Sequence, residues 1–191
     1  MRKATKKDFW RVKEILTASF EDNKSSNYVL RSKKNFPKLI QYSIIKGKMF
    51  GDIWINDSGT ACAILIDPKK KKTSIKSIFQ DINFIFRISG LSLMKKVMEK
   101  EKITNDTLPK DIDYIHLWFL GVSPFMQGKG EGKKLMKEII EEYREKKQAI
   151  CLETSTERNI SFYEKLGFTN YETKNFGFKF HFFIRKLILK H

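Results

Sequence analysis

Three glycines in five residues, Gly128, Gly130 and Gly132, follow an uncharged run at 117–124 and open a strongly amphipathic segment. An apolar strand, a glycine-rich turn and a helix start, in that order, make an anion cradle. The turn folds tightly, and the bare N–H groups of the first helical turn converge on one point. Lys129, Lys133 and Lys134 crowd the same end, where the helix dipole disfavours cations and Glu131 offsets them only in part. Such crowding makes sense if an anion binds there; the alternative is a solvated Lys-rich turn. The triphosphate loop G-x-x-x-x-G-K-[ST] is excluded, because Lys133 stands where its second glycine is needed. The dinucleotide fingerprint G-x-G-x-x-G fails at the same residue. What fits is Q-x-x-G-x-G, at Gln127, Gly130 and Gly132.

Two further groups carry titratable or hydrogen-bonding chemistry. Asn159 and Tyr163 lie four apart in a short helical segment, so both project from one face. His116 sits in an apolar strand segment and Glu153 in the next one. An imidazole there could accept a proton, although a lone histidine in such a strand is often structural. No set of Asp, His and Cys has metal-ligand spacing, and no Ser–His–Asp order is evident.

The segment Leu120-Gly121-Val122-Ser123-Pro124 with Gln127 to Gly132 resembles the acyl-coenzyme A signature of the GCN5-related N-acetyltransferase (GNAT) family. Downstream, Asn159-Ile160-Ser161-Phe162-Tyr163-Glu164-Lys165-Leu166-Gly167-Phe168 resembles the Asn…Tyr…Gly-Phe helix and strand start of the same family. Its puromycin N-acetyltransferase-like members look closest, through Leu120 to Pro124 and Leu152-Glu153-Thr154-Ser155. The resemblance implies a mixed α/β domain whose central sheet is mostly antiparallel, with helices on both faces and two central parallel strands that splay apart. It also implies acetyl transfer from acetyl-coenzyme A to a primary amine of a small molecule by direct attack. A protein amine acceptor and a coenzyme A-binding regulator without catalysis are the other readings.

By the same resemblance, Leu120, Gly121 and Val122 pair with the pantetheine arm through backbone groups, and the pyrophosphate sits on the amides of Gln127, Gly128, Lys129, Gly130, Glu131 and Gly132. Lys133 adds charge, and Asn159 bonds the pantetheine. Tyr163 is the general acid that protonates the leaving sulfur; a phenol of pKa about 10 keeps its proton at neutral pH. A core Tyr covering the sheet is the bland alternative. The base is His116, where histone-type members carry Glu, or Glu153 on the next strand. A backbone N–H near residues 120–122 would hold the oxyanion.

A chain of 191 residues with 41% hydrophobic residues and 16 Phe has the size and composition of one domain with a substantial core. The division expected within it is an acceptor-shaping half at 1–112, with a helical insertion at about 75–102, and a cofactor-binding core at 113–187. Cys62 and Cys151 both sit in apolar runs, which favours buried free thiols in a reducing cytoplasm. Lys3, Lys6, Lys7 and Asp8 interrupt any apolar leader. The net charge of +16 fits a multiply charged anionic cofactor, and no nucleic-acid-binding pattern accompanies it. A monomer or a homodimer is expected.

Thr5-x-x-Asp8 reads as a capping box before a helix with Phe9, Val12, Ile15, Leu16 and Phe20 inward. A helical region at 27–46 is expected to break or restart near Pro37. Strands at 49–55 and 60–66 flank the Asn56-Asp57-Ser58-Gly59 turn. The run at 69–72 is expected to be an exposed loop. Segment 75–102 is very apolar, with Gly90 parting two helices; these pack into the core, form a lid over an apolar acceptor, or lie on a membrane surface. It is too interrupted to span a bilayer. Strands at 115–122 and 149–154 flank the amphipathic helix. A short helix at 156–166 and an antiparallel pair at 168–174 and 178–187 close the chain, with Phe178, Phe180, Phe182 and Ile184 on one face.

Overall fold

The computed structural model describes residues 1–71 and 74–187. One seven-stranded sheet runs through them in the order β1-β2-β3-β4-β5-β7-β6. Its strands are β1 (Arg2–Lys3), β2 (Gly51–Ile55), β3 (Ala61–Ile66), β4 (Tyr114–Val122), β5 (Ala149–Thr154), β6 (Thr169–Asn175) and β7 (Lys179–Lys186). Every pairing is antiparallel except β4–β5, which is parallel from Tyr114↔Ala149 to Leu117↔Leu152. The helices are α1 (Phe9–Phe20), α2 (Lys24–Asn27), α3 (Phe36–Phe50), α4 (Ile75–Phe84), α5 (Met94–Thr107), α6 (Glu131–Tyr143) and α7 (Arg158–Glu164). The expected fold class, mixed α/β with helices on both sheet faces, is the one observed.

Alternation along the strands divides the core in two. On one face Leu135, Met136, Ile139 and Ile140 of α6 pack on Ile115, Leu117, Ile150 and Leu152. On the other, Val12, Ile15 and Leu16 of α1 and Ile40 and Ile44 of α3 pack on Ile53, Ile64 and Phe119. Asp8 accepts from both the backbone N–H and the hydroxyl of Thr5, each at 2.7 Å, one turn before α1. Cys62 and Cys151 are buried free thiols, and burial pushes the Cys151 thiol up to about 12.

Several expectations need correction. Of the two alternatives at Pro37, the restart is the one observed: this proline stands in the first turn of α3, where its missing N–H costs nothing, and the helical region does not run continuously from 27. Met49 and Phe50 finish that helix, and the strand starts at Gly51. Lys69, Lys70 and Lys71 are exposed as expected, but Pro68–Lys70 form a 3-10 turn capped by Asp67; Lys72 lies outside the described residues. Segment 75–102 does form two helices parted by Gly90, which takes φ 78°. They are not simply core-packing: Phe79, Ile82, Phe86, Leu91, Met94 and Met98 are exposed.

Gly121 sets how closely α1 approaches the sheet. A Cβ there would fall 2.7 Å from Leu16 Cδ2 and 3.2 Å from Ser19 Oγ. Gly121→Val is therefore expected to overpack this contact and cost about 1–3 kcal/mol, read as a lowered midpoint in thermal or urea unfolding. An unchanged midpoint would mean that α1 adjusts freely.

Candidate active site

The site begins with one extra residue. The β3–β4 register passes from Ile64↔Phe119 to Leu65↔Leu117, so Trp118 is a bulge. Bulges bend a strand and raise its local twist. The bulge falls one residue past Leu117, the last β4 residue paired to β5. Beyond it, β4 continues to Val122 with β3 on one side and no strand on the other. The expected splay is present, and it leaves backbone donors and acceptors of residues 118–122 lining a slot, where they need a partner. The Val122 carbonyl, at the slot's end, accepts from Ser19 Oγ (2.8 Å) and Gln127 Nε2 (3.2 Å).

The glycine turn stands at the mouth of that slot. Gly128 (φ 78°) and Gly130 (φ 86°) are left-handed, and a Cβ on either would meet nothing within 4 Å. The first intrahelical bond of α6 runs from Lys134 N–H to the Gly130 carbonyl, which leaves the N–H groups of Glu131, Gly132 and Lys133 without an acceptor. Lys129, Lys133 and Lys134 have no acidic partner among the described residues. The Glu131 side chain turns away: its Oε2 accepts from Asn56 Nδ2 (2.6 Å) and pins the β2–β3 hairpin to the helix start. Open space, bare amides and unpaired cations at a positive helix end suit a diphosphate.

Across the slot, α7 packs on the same helix start; a Cβ on Gly132 would lie 3.8 Å from Phe162 Cζ. Tyr163 is buried among Phe162, Phe168 and Phe183. Burial, and then the Glu153 charge, raise its phenol pKa, so it stays protonated well past neutral pH. Its hydroxyl bonds to no protein group, yet it is not among the sealed, unpaired polar atoms. Asn159 lies one turn earlier, half-buried, with its side-chain amide unbonded.

The two candidate bases turn out to be one unit. His116 Nε2 lies 2.8 Å from Glu153 Oε2, joining β4 to β5 beside the splay. The second carboxylate oxygen, Glu153 Oε1, is buried without any partner. An orphaned buried acceptor is costly, so it marks a place where a donor is missing. His181, the other described histidine, is held at Nδ1 by Asn170 and Thr173, 3.1 Å each, within the sheet.

Two further features border the site. One is an aromatic wall on the Glu153 side: Tyr28, Phe178, Phe180 and Phe182 follow one another with centroids 5.3–6.2 Å apart, and Phe182 stands opposite Glu153 in the β5–β7 register. The regular Phe178, Phe180, Phe182 alternation hinted at it. The other is a roof, an arrangement the sequence left open for segment 75–102 beside two others. Helix α5 holds Lys96 Nζ 4.0 Å from the Tyr28 ring centroid and Lys100 Nζ 4.6 Å from that of Phe180. Burial lowers the Lys100 pKa against the pull of Glu153 and Glu101. Among the described residues no cluster of His, Cys, Asp and Glu has the makings of a metal site.

Residues 95–170 match the model of the acetyltransferase (GNAT) domain family, a span that runs from α5 through the slot, the cradle and Tyr163. Over that span the chain is similar to a GNAT domain. Solved structures agree on the fold. A histone acetyltransferase HPA2 and related acetyltransferase of Corynebacterium glutamicum superposes with a TM-score of 0.71 at 16% identity, covering 99% of this chain and 96% of that one. Arylalkylamine N-acetyltransferase 2 of Aedes aegypti gives 0.70 at 18% identity, over 98% of both chains. The ribosomal-protein alanine N-acetyltransferase of Escherichia coli gives 0.57 at 14% identity, over 100% and 94%. These neighbours have both small-amine and protein acceptors in their names, so the acceptor must be argued from this chain's own residues.

Proposed function

We propose that the chain is an acetyl-coenzyme A-dependent N-acetyltransferase acting on the primary amine of a small molecule. The observation that carries this reading is the unpartnered, buried Glu153 Oε1 beside His116, on the far side of the slot from the bare amides of the glycine turn. Acetyl-coenzyme A would supply the activated acetyl group. Its diphosphate would fit the N–H groups of Gly128 and of Gly130 to Lys133, with Lys129 and Lys133 adding charge and Gln127 bracing the turn against Val122. The open edge of Leu120, Gly121 and Val122 would take the pantetheine amides, assisted by Asn159.

Glu153 would accept the acceptor amine's proton at Oε1 through a bridging water, since that oxygen is sealed from direct contact, while His116 fixes Oε2 and the carboxylate's orientation. Tyr163 holds a proton for the departing sulfur, and its raised pKa keeps that proton in place across the working range. A slot N–H between Leu120 and Val122 would meet the developing oxyanion. The roof of α5 over an aromatic wall supports a small acceptor with an apolar or aromatic body over a peptide chain, which needs an open groove. The cytoplasm, where the acetyl donor and reduced thiols occur, is the compartment proposed.

Native mass spectrometry with acetyl-coenzyme A, followed by turnover on a panel of aromatic amines and peptides, tests this reading. Tyr163→Phe is expected to lower kcat ten-fold or more with the cofactor still bound. Unchanged turnover in that variant would remove Tyr163 from the reaction, and failure of the wild-type chain to bind the cofactor would remove the reading itself.

A further inference from the structure

Helix α4 is mounted inside out. Its polar residues face the protein: Ser77 accepts from Lys46 Nζ at 3.1 Å, and Asp81 is bonded to Lys46 Nζ and to the Tyr42 hydroxyl, both at 2.7 Å. Apart from Phe84, which packs on Tyr42 with ring centroids 4.7 Å apart, its apolar residues face outward. Ile75 is 89% exposed, Phe79 63% and Phe86, in the π-helical turn that follows, 63%; Ile78 and Ile82 complete the row. Spacings of three, four, seven and eleven place these five on one stripe, and that stripe is the side a surface helix ordinarily buries. Leu91, Met94 and Met98 extend the patch onto α5. Large contiguous apolar patches on a protein surface mark interaction sites.

Charge identifies the partner. Segment 69–102 carries ten Lys and Arg against three acids, in a chain of +16. Arg87 adjoins Phe86, Lys95 lies one helical turn from Leu91, and Lys102 one turn from Met98; all three are exposed. A second copy of the chain would bring two such basic rims together, whereas an anionic surface neutralises them. At about 15 Å, a ten-residue helix reaches halfway through a bilayer core, and no described helix is long and apolar enough to cross one. An apolar stripe with a basic rim and insufficient length to span is suited to lying in the interface plane.

We infer that α4 and the first turns of α5 form a docking surface for an anionic lipid bilayer, with Ile75, Phe79, Ile82 and Phe86 entering the headgroup–acyl boundary and Arg87, Lys95 and Lys102 meeting lipid phosphates. The docked chain keeps the Lys46–Asp81–Tyr42 contacts, so the helix needs no refolding to bind.

Co-sedimentation of the full chain with vesicles tests this directly. Vesicles of phosphatidylcholine mixed with phosphatidylglycerol should retain the chain roughly ten-fold more strongly than phosphatidylcholine alone, with the advantage falling as salt is raised. The double substitution Phe79→Glu and Phe86→Glu should abolish retention while leaving the melting temperature and acetyl-coenzyme A binding unchanged, since both side chains are exposed. Equal retention of the variant, or no retention of the wild-type chain on anionic vesicles, overturns the proposal. A dimer in analytical ultracentrifugation that the same substitutions dissolve would assign the patch to a second copy instead.

Discussion

Glu153→Gln is expected to lower kcat by roughly 10²- to 10⁴-fold, the range of a positioned general base. The substitution keeps the shape and a hydrogen-bonding oxygen for His116 but cannot accept a proton at neutral pH. Acetyl-coenzyme A binding should be unchanged, because the cradle lies at the opposite end of the slot. The 2.8 Å contact between His116 Nε2 and Glu153 Oε2 adds a sharper expectation. Residues that act as a unit are non-additive, so His116→Ala combined with Glu153→Gln should be little worse than Glu153→Gln alone. Steady-state kinetics on one accepted amine would check both. Undiminished turnover in Glu153→Gln would return the base role to His116 or to water, and full additivity would mean the two side chains work separately.

Gly130→Glu should remove cofactor binding while leaving the fold intact. The new Cβ meets no neighbour, so nothing in the core is disturbed. Two costs remain. A non-glycine residue at φ 86° is strained by about 1–3 kcal/mol, and a carboxylate now stands where a diphosphate would. Losing two charge-assisted hydrogen bonds, at about 1.5–3 kcal/mol each, corresponds to a Kd raised by roughly 10²-fold or more. Gly130→Ala separates the two, since it carries the strain without the charge and should weaken binding far less. Calorimetric titration with coenzyme A measures this. Normal affinity in Gly130→Glu would displace the diphosphate from the glycine turn.

The sequence made the glycine turn and the helices beside it legible because their geometry is local. Gly128, Gly130 and Gly132 precede an amphipathic helix within one continuous stretch, and Asn159 and Tyr163 are one turn apart on another; turn and helix geometry follow from spacing alone. The β4–β5 crossover likewise comes from two apolar runs flanking that helix. What escaped was everything set by contact between distant segments. His116 and Glu153 could be weighed only as rivals, since 37 residues separate them and only strand register brings them together. A lid at 75–102 stood only as one of three alternatives, because the α5 roof depends on Lys96 and Lys100 meeting rings from α2's flank and β7. The outward stripe of α4 defied the rule that apolar means inside, because Asp81 and Ser77 had partners in α3 that no local pattern reveals.

Trp118 has an arithmetical consequence. In an unbroken strand, side chains an odd number of positions apart point to opposite sides. His116 and Gly121 are five apart, yet both look toward the α1 and α3 face of the sheet; Leu117 and Leu120, three apart, both look toward α6. Removing that single tryptophan from the chain would restore strict parity. It would either turn the imidazole inward or swing the glycine out from beneath Leu16, and it would let β4 and β5 zip shut along their whole length. The crevice between them therefore depends on a count of residues rather than on any one side chain's chemistry.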